Sequence, residues 1–385
     1  MKLKKVLAVL MVGAMAVSLA ACGSSSSEAP AEEAPAAEEA PAAAAEEEEA
    51  PAEEEAPAAE EASEEAPAAD GKEIDIVYLT PSTASSFWSQ VGVGIEQAKA
   101  DAEAQYGCKI NYTVTGPAEE QQTEEYITAF ENTIALQPDA IVTATLSIDP
   151  TVPKAKEATQ AGIVLNFVNC GIGTGDDGAN EDCYNEFYYC SNDTIGEMAG
   201  QAFVDACNAK GVDTTKGTIG INMNAENEAL EHRIQAFRDY ISANTTLEMT
   251  ETYYNGNNTE KAQENAENVI ASYGSDLIGF YSGNNITCDG VCKAVEGANL
   301  GDKFVSVGVD SDDIEVKALR DGFLDAIIVQ DAYTQGYNCM MNAIVTALTG
   351  ENPESAKQIN CPPTIVTLEN IDSDEIQFMM NPTLK

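Results

Sequence analysis

From about residue 72 onward, the hydrophobic residues of the chain alternate between two patterns. Short runs rich in β-branched and aromatic residues predict strands, and longer runs with apolar residues every three or four positions predict amphipathic helices between them. Strands that alternate with helices are typical of βαβ units and parallel sheets. The predicted strands are Ile74–Thr80, Lys109–Thr115, Ala140–Thr145, Ile163–Val168, Thr218–Met223, Leu247–Tyr254, Leu277–Tyr281, Phe304–Val309 and Leu324–Val329.

Helices are predicted between these strands, and one stretch, Gly171–Phe187, fits neither pattern. Nine strands are too many for a single small domain. We therefore predict an α/β fold of two doubly wound parallel-sheet lobes. Helical runs include Val91–Tyr106, Thr123–Leu136, Ile195–Ala209, Ala229–Ala243, Glu260–Tyr273 and Thr334–Leu348.

Polar and aromatic side chains follow the ends of the predicted strands, where open parallel sheets bind ligands. Two adjacent aromatic residues, one cation, one or two acids and many amides are expected on one rim. Aromatic rings stack on the C–H faces of a sugar, and amides and carboxylates pair with its hydroxyls. The residues are Phe87, Trp88, Asn169, Asn224, Asn227, Arg233, Asn255, Asn257, Asn258, Asn284, Asn285, Asp310 and Gln330.

The overall charge narrows the class of partner. The 385 residues include 65 acids and 19 bases, and the formal net charge is −46. Such a charge argues against nucleic acid and favours a neutral ligand. With a single His in the chain, His-based metal sites and Ser-His-Asp catalysis are not expected. We expect no cofactor and no metal site.

The charge is divided among three segments, and the first predicts export. Residues 1–22 carry +3, residues 23–71 carry −17 and residues 72–385 carry −32. Three lysines precede an apolar stretch that ends in Leu-Ala-Ala-Cys22, which matches a bacterial lipoprotein signal. We therefore predict that Cys22 is lipidated and anchors the protein to the membrane. The alternative is an ordinary signal peptide in which Cys22 has no role.

Residues 23–71 form a second segment, composed almost entirely of Ala, Glu, Pro and Ser. This composition cannot bury a core, so we predict a disordered stretch. It serves either as a tether that like-charge repulsion holds away from an anionic surface, or as a solubilising spacer.

Several motifs taken together resemble the ribose/galactose-type (type I) periplasmic sugar-binding proteins, the substrate-binding subunits of ABC importers. The resemblance covers nearly all of residues 73–385. The motifs are Ile-Val-Tyr-Leu-Thr (76–80) with Ser-Phe-Trp (86–88), Arg-Ile-Gln-Ala-Phe (233–237), Asn284, Val-Gly-Val-Asp (307–310) and Gln330.

The resemblance implies a ligand site between two lobes joined by three crossings. Lobe one would comprise 72–190 with 331–364, and lobe two 191–330 with 365–385. Crossings near 190–192, 330–331 and 363–366 would let the lobes close on ligand. Phe87 and Trp88 would stack on the ligand. The implied hydrogen-bonding residues are Arg233, Asn284, Asp310 and Gln330. Asn169 and Asn257 complete the predicted set, and they stand at positions where this sequence departs from the family pattern.

These departures leave the ligand open. The family's Asp-Arg pair reads Asn169-Cys170 here, which removes a carboxylate and a guanidinium. A sugar, a sugar-like polyol or another small molecule is compatible with this set. The stretch Gly171–Phe187 resembles an insertion, from which Tyr184, Phe187 or Tyr188 could bring an aromatic ring to the cleft.

The resemblance implies an extracytoplasmic, monomeric lipoprotein that delivers its ligand to ABC permease subunits. A chemoreceptor or sensor kinase could read the same closed lobes, and the sequence leaves this alternative open. A glycosidase needs two paired carboxylates, and only Asp310 is well placed among the strand-end residues. We therefore expect no enzymatic activity.

Nine cysteines follow Cys22. Cys170, Cys183 and Cys190 flank one loop and could pair in any of three ways. Cys288 and Cys292 lie one helical turn apart, where a disulfide is strained. The other possibility is that these cysteines are small buried hydrophobic residues.

Overall fold

A computed structural model of the chain describes residues 71–175 and 177–385. The predictions for Cys22 and for residues 23–70 of the acidic segment 23–71 lie outside these residues. The strands are β1 (Glu73–Leu79), β2 (Lys109–Thr115), β3 (Ala140–Thr143), β4 (Val164–Asn169), β5 (Glu186–Tyr189), β6 (Thr218–Met223), β7 (Glu248–Tyr254), β8 (Leu277–Ser282), β9 (Val305–Val309), β10 (Ala326–Val329), β11 (Gln358–Asn360) and β12 (Thr364–Val366).

The helices lie between these strands in the βαβ order. They are α1 (Ser86–Tyr106), α2 (Thr123–Leu136), α3 (Ile148–Gln160), α4 (Asn192–Lys210), α5 (Glu228–Asn244), α6 (Thr259–Tyr273), α7 (Asn285–Gly297), α8 (Asp313–Asp321), α9 (Ala332–Thr349) and α10 (Asp374–Met380).

The strands form two sheets of the same kind. The first has the order β11-β5-β4-β3-β1-β2, and the second has the order β12-β10-β9-β8-β6-β7. All described pairings are parallel except that of β10 with β12. The chain passes between the sheets at 190–191, 330–331 and 361–363. The predicted α/β fold with two parallel sheets is confirmed. Below, the first sheet with its helices is called lobe one, and the second with its helices lobe two.

All nine predicted strands are present, with ends within two residues of the prediction. Three strands were missed: β5, β11 and β12. Each has only three or four residues. The suggestion that Tyr184, Phe187 or Tyr188 reaches the cleft is wrong, because all three are buried in the hydrophobic clusters of lobe one. Strand β5 places Phe187 and Tyr188 on opposite faces of the sheet, and both faces are covered.

Close helix packing in each lobe depends on glycine. A Cβ atom at Gly94 of α1 would lie 2.1 Å from the carbonyl oxygen of Tyr333 in α9. In lobe two, a Cβ atom at Gly196 of α4 would lie 2.1 Å from the carbonyl oxygen of Arg233 in α5. These distances are far below van der Waals contact, so only glycine permits this helix spacing. The second contact fixes the position of Arg233 relative to α4.

The described cysteines fit the interpretation as small core residues. Cys170 and Cys183 are free thiols, so neither takes part in a disulfide of the loop that they flank. Cys183, Cys288 and Cys339 are completely buried. Among residues 71–175 and 177–385, no group of His, Cys, Asp or Glu side chains has the arrangement of a metal site. No helix in this part of the chain is long and apolar enough to cross a membrane.

Glu186 makes the stability of lobe one depend on pH. Its side chain is completely buried at the start of β5. Its Oε1 atom accepts a hydrogen bond from Asn352 Nδ2 at 2.6 Å, and its Oε2 atom has no partner among the residues described. Burial raises the pKa of this carboxyl to about 7. The folded protein therefore holds a proton that the unfolded chain releases above about pH 4.3.

We expect the free energy of unfolding of the wild type to decrease as the pH rises from about 4.3 towards 7. In Glu186→Gln this decrease is expected to be smaller by about 1–3 kcal/mol, because the variant has no carboxyl group to titrate at this position. Urea unfolding at about pH 5 and pH 8 measures the difference. Burial also raises the pKa of Asp289 to about 7, so part of the pH dependence remains in the variant. Glu351→Gln is the matched control, because the side chain of Glu351 is exposed. An identical pH dependence in wild type and Glu186→Gln would contradict this assignment.

Candidate functional site

Two residues at strand ends adopt a backbone conformation that is rare outside glycine. Asn169 ends β4 of lobe one and has φ +62°, and Asp310 follows β9 of lobe two and has φ +82°. Asn and Asp are the side chains that best tolerate this left-handed region, which costs about 1–3 kcal/mol for a non-glycine residue. The conformation turns the chain sharply at the carboxyl end of each sheet.

A chain of hydrogen bonds connects these two strand ends. Asn169 Nδ2 donates to Gln330 Oε1 at 2.9 Å, and Gln330 Nε2 donates to Asp310 Oδ1 at 2.9 Å. Asp310 Oδ2 accepts from the backbone N–H of Asn285 at 3.2 Å. Gln330 follows β10, where the chain passes from lobe two to lobe one. The structure thus brings three predicted site residues together across the connection between the lobes.

Arg233 supplies a buried cation at the same edge. It lies in α5 and is 5% exposed. Its Nε atom donates to Asn192 Oδ1 at 2.9 Å, and its Nη1 atom donates to the carbonyl oxygen of Gly283 at 2.6 Å. These two acceptors hold the guanidinium in one orientation. Burial raises the pKa of Asp310, and the nearby positive charge of Arg233 offsets part of this rise.

The two aromatic residues at the start of α1 differ in exposure. Trp88 is 3% exposed, belongs to a hydrophobic cluster of lobe one, and donates from Nε1 to Glu120 Oε1 at 2.8 Å. Phe87 is half-buried, and its ring meets that of Trp88 edge to face with centroids 5.0 Å apart. Phe87 is therefore the more accessible ring, and stacking of both rings on a ligand stays a prediction.

Asn284 and Asn257 have local partners. Asn284 Oδ1 caps α7 by accepting from the N–H of Thr287 at 3.1 Å. Asn257 Oδ1 accepts from Asn224 Nδ2 at 3.4 Å, and Asn224 Oδ1 is buried without a partner among the residues described. The amide nitrogen of Asn284 donates a long hydrogen bond to Asn285 Oδ1 at 3.5 Å. A ligand contact for Asn284 or for Asn257 stays a prediction.

Glu120 is a site residue that the sequence reasoning missed. It lies in the loop after β2. Burial raises the pKa of its carboxyl above the ordinary value, and the negative charge of Asp310 raises it further. The pKa of Asp310 is likewise raised mainly by burial. One or two acids were predicted on the rim, and Asp310 was the one that the strand ends identified. Examining the ends of β2 and β3 as well would have indicated Glu120.

The lobes touch each other across the cleft. Ser86 Oγ of lobe one donates to Asp312 Oδ1 of lobe two at 2.7 Å, and Asn285 Nδ2 donates to Ser86 Oγ at 3.4 Å. Asn227 Nδ2 of lobe two donates to the carbonyl oxygen of Leu146 of lobe one at 3.1 Å. These contacts define an arrangement in which the lobes are closed against each other. Glu120, Arg233 and Asp310 lie near enough to one another that all three charges affect the thiol of Cys170. Such a set can hold a neutral molecule with several hydroxyl groups.

Comparison with known families matches the larger part of the chain. The family described as periplasmic binding protein domain matches residues 76–352. A comparison with curated protein sequences finds no match.

Comparison with solved structures gives the same fold. A solute-binding protein of an ABC transporter from Agrobacterium vitis, with bound D-fucose, has 27% identity and a TM-score of 0.68, covering 79% of this chain and 98% of that one. A second from Agrobacterium vitis, bound with α-D-tagatopyranose, has 24% identity and a TM-score of 0.70, covering 80% and 99%. A carbohydrate transporter solute-binding protein from Agrobacterium radiobacter, in complex with D-arabinose, has 23% identity and a TM-score of 0.70, with the same coverage.

Proposed function

Because this chain belongs to the periplasmic binding protein domain family, we propose that it captures a neutral sugar or polyol between its lobes and delivers it to an ABC permease. The observation that carries the proposal is the hydrogen-bonded chain from Asn169 through Gln330 to Asp310 beside the buried Arg233. Relatives of the same fold bind D-fucose, tagatose and D-arabinose. We propose no enzymatic step, and the solute-binding character of the family supports this.

We propose that the ligand contacts are Phe87, Trp88, Glu120, Asn169, Arg233, Asn257, Asn284, Asp310 and Gln330. Glu120 and Asp310 accept hydrogen bonds from hydroxyl groups of the ligand, and Arg233 donates hydrogen bonds to ligand hydroxyl groups. Phe87 covers an apolar face of the sugar ring. A buried polar group without a partner costs about 1–3 kcal/mol, so a sugar with one inverted hydroxyl binds much more weakly.

We propose that the two lobes turn about the three passages of the chain between the sheets, near residues 190, 330 and 362. Ligand touches both lobes only when they are closed, so its binding favours the closed state. Ser86 of lobe one forms hydrogen bonds with Asn285 and Asp312 of lobe two in that state. The permease would distinguish the closed lobes from the open ones.

We also propose that Cys22 carries the lipid that keeps the protein at the outer face of the cell membrane. Two acyl chains are enough for stable anchoring, and the acidic stretch after Cys22 would keep the lobes away from the anionic surface. Metabolic labelling with an alkyne fatty acid is expected to mark the wild type and not Cys22→Ser. Equal labelling of both proteins would exclude Cys22 as the lipid site.

A thermal-shift screen of sugars tests the proposed binding function. The panel contains D-fucose, D-tagatose, D-arabinose, D-ribose, D-glucose, D-galactose and myo-inositol. A sugar at about 100 times its dissociation constant is expected to stabilise the folded protein by about 2.7 kcal/mol. A set of amino acids serves as the comparison. Stabilisation by an amino acid and by no sugar would contradict the proposal.

The single Trp provides a second readout of binding. Trp88 lies beside Phe87 and is hydrogen-bonded to Glu120, so a ligand that contacts either residue changes the surroundings of the indole. We expect a saturable change in intrinsic fluorescence on titration with the sugar found in the screen. An unchanged spectrum at saturation would exclude Phe87, Trp88 and Glu120 as contacts.

A further inference from the structure

A cavity of about 320 Å³ lies between the lobes, to one side of the candidate site. Lobe one contributes the segment around Leu146 and the turn Cys170-Gly171, and lobe two contributes Asn227 and Leu230. The hydrogen bond from Asn227 Nδ2 to the carbonyl oxygen of Leu146 joins two of these walls. The volume falls at the lower end of the range of about 300–1,000 Å³ found for small-molecule sites.

Cys170 connects this cavity to the candidate site. It lines the cavity, and its Sγ atom donates to Oδ1 of Asn169 at 3.2 Å. Burial raises the pKa of its thiol to about 12, and the charges of Arg233, Glu120 and Asp310 also affect it. The thiol is therefore neutral and close to the charged residues of the site. A molecule bound beside Asn169 can extend past Cys170 into the cavity.

A second, much smaller pocket is lined by Asp310 and Gln330 of the candidate site. Ser86, Phe87, Asn285 and Asp312 also bound it, and it holds only about 10 Å³. This is no more than the space that one water molecule needs, about 10–15 Å³. Of these two spaces between the lobes, the cavity beside Cys170 and Leu146 is the one large enough for a second ring.

The walls of the cavity indicate the chemistry of such an extension. Leu146, Ile148 and Leu230 provide apolar surface, and the carboxylates of Asp149 and Glu226 stand at the exposed mouth. Apolar surface fits the C–H face of a second sugar ring. The two carboxylates repel an anionic group and accept hydrogen bonds from hydroxyls.

We propose that the ligand consists of two linked neutral units, with one ring at Asn169, Arg233 and Asp310 and a second ring in the cavity beside Cys170. This inference rests on the proposed sugar-binding function. The second ring contacts Leu146 of lobe one and Leu230 of lobe two, so it adds to the preference for the closed state. The chain accordingly selects disaccharides over the single sugars that they contain.

Calorimetric titration of the full-length protein tests this selection. The probes are D-glucose and D-galactose, together with four disaccharides built from these rings: lactose, melibiose, cellobiose and maltose. D-arabinose is included as a further single sugar. At least one disaccharide is expected to bind about tenfold or more tightly than either of its single sugars.

Two variants fill the cavity from opposite lobes. They are Leu146→Trp and Glu226→Trp, of which the second lies in an exposed loop. Each is expected to weaken binding of the tightest-binding disaccharide about tenfold or more, and to change the affinity for single sugars less than about twofold. Leu136→Trp is the matched control, because Leu136 is 74% exposed at the end of α2, outside the cavity. If Leu146→Trp fails to fold, Glu226→Trp gives the answer alone.

The outcomes separate this inference from the function on which it rests. Single sugars that bind as tightly as every disaccharide overturn the inference and leave sugar binding intact. Binding of no sugar at all overturns both. Unchanged disaccharide affinity in the two filled variants, or equal losses for single and double sugars, also overturns the two-unit ligand.

Discussion

Asp310→Ala is expected to weaken sugar binding about 100-fold or more, a loss of about 2.8 kcal/mol. Gln330 Nε2 and the N–H of Asn285 hold the two carboxylate oxygens in one orientation. Hydrogen bonds to a charged group contribute about 1.5–3 kcal/mol each, and this carboxylate has lone pairs for adjacent ligand hydroxyls. Alanine removes these bonds and leaves the buried Arg233 without its nearby acid.

Calorimetric titration of Asp310→Ala with the sugar identified by screening measures this loss. Asp313→Ala is the matched control, because Asp313 is an exposed Asp in the first turn of α8. Circular dichroism checks that both variants are folded. An affinity within about threefold of wild type for Asp310→Ala would exclude Asp310 from the binding site.

Arg233→Ala is expected to reduce affinity by about 100-fold or more and also to lower the free energy of unfolding by about 1–3 kcal/mol. The guanidinium is 5% exposed and donates to Asn192 and to the carbonyl oxygen of Gly283. Its removal leaves those acceptors buried without a donor. It also leaves the acids of the cleft, Glu120 and Asp310, without a compensating cation.

Two further variants separate the binding effect from the structural one. Arg233→Lys keeps the charge but cannot reproduce the fixed planar geometry of the guanidinium, so we expect an intermediate affinity. Arg238→Ala lies on the same helix, where Arg238 donates to the carbonyl oxygen of Thr250, and should leave affinity unchanged. Wild-type affinity in a folded Arg233→Ala protein would contradict the assignment.

Together these two residues explain why a strongly acidic protein can bind an uncharged ligand. The net charge of −46 disfavours anions at long range, whereas Arg233 places one fixed cation inside the cleft. Burial raises the pKa values of both Glu120 and Asp310, so a ligand that donates hydrogen bonds to them is favoured over one that carries negative charge.

Most of the fold could be predicted from local pattern. Strands such as β2 and β6 are rich in β-branched residues, and the predicted bounds agree with the observed ones. The short strands β5, β11 and β12 could not be predicted in this way. A strand of three or four residues is too short to show an alternating pattern in the sequence. These residues become strands because they pair with a neighbouring strand.

For the candidate site, the sequence by itself determined which residue types stand at the strand ends. Gln330 and Asp310 come together because they follow neighbouring parallel strands, β10 and β9, whose carboxyl ends share one edge of a sheet. Asn169 ends a strand of the other sheet, and its bond to Gln330 depends on how the two lobes face each other. The same reasoning proposed Arg233, although its bonds to Asn192 and Gly283 depend on how α4 and α5 pack.

Only the tertiary structure decided which side chains meet between the lobes. The pairing of Trp88 with Glu120, the contact of Ser86 with Asp312 and the cavity beside Cys170 each join segments far apart in the chain. The burial of Tyr184, Phe187 and Tyr188 was decided in the same way. Periodicity reports the environment of one element along its own axis, whereas these contacts depend on the orientation of separately folded elements, which no local pattern encodes.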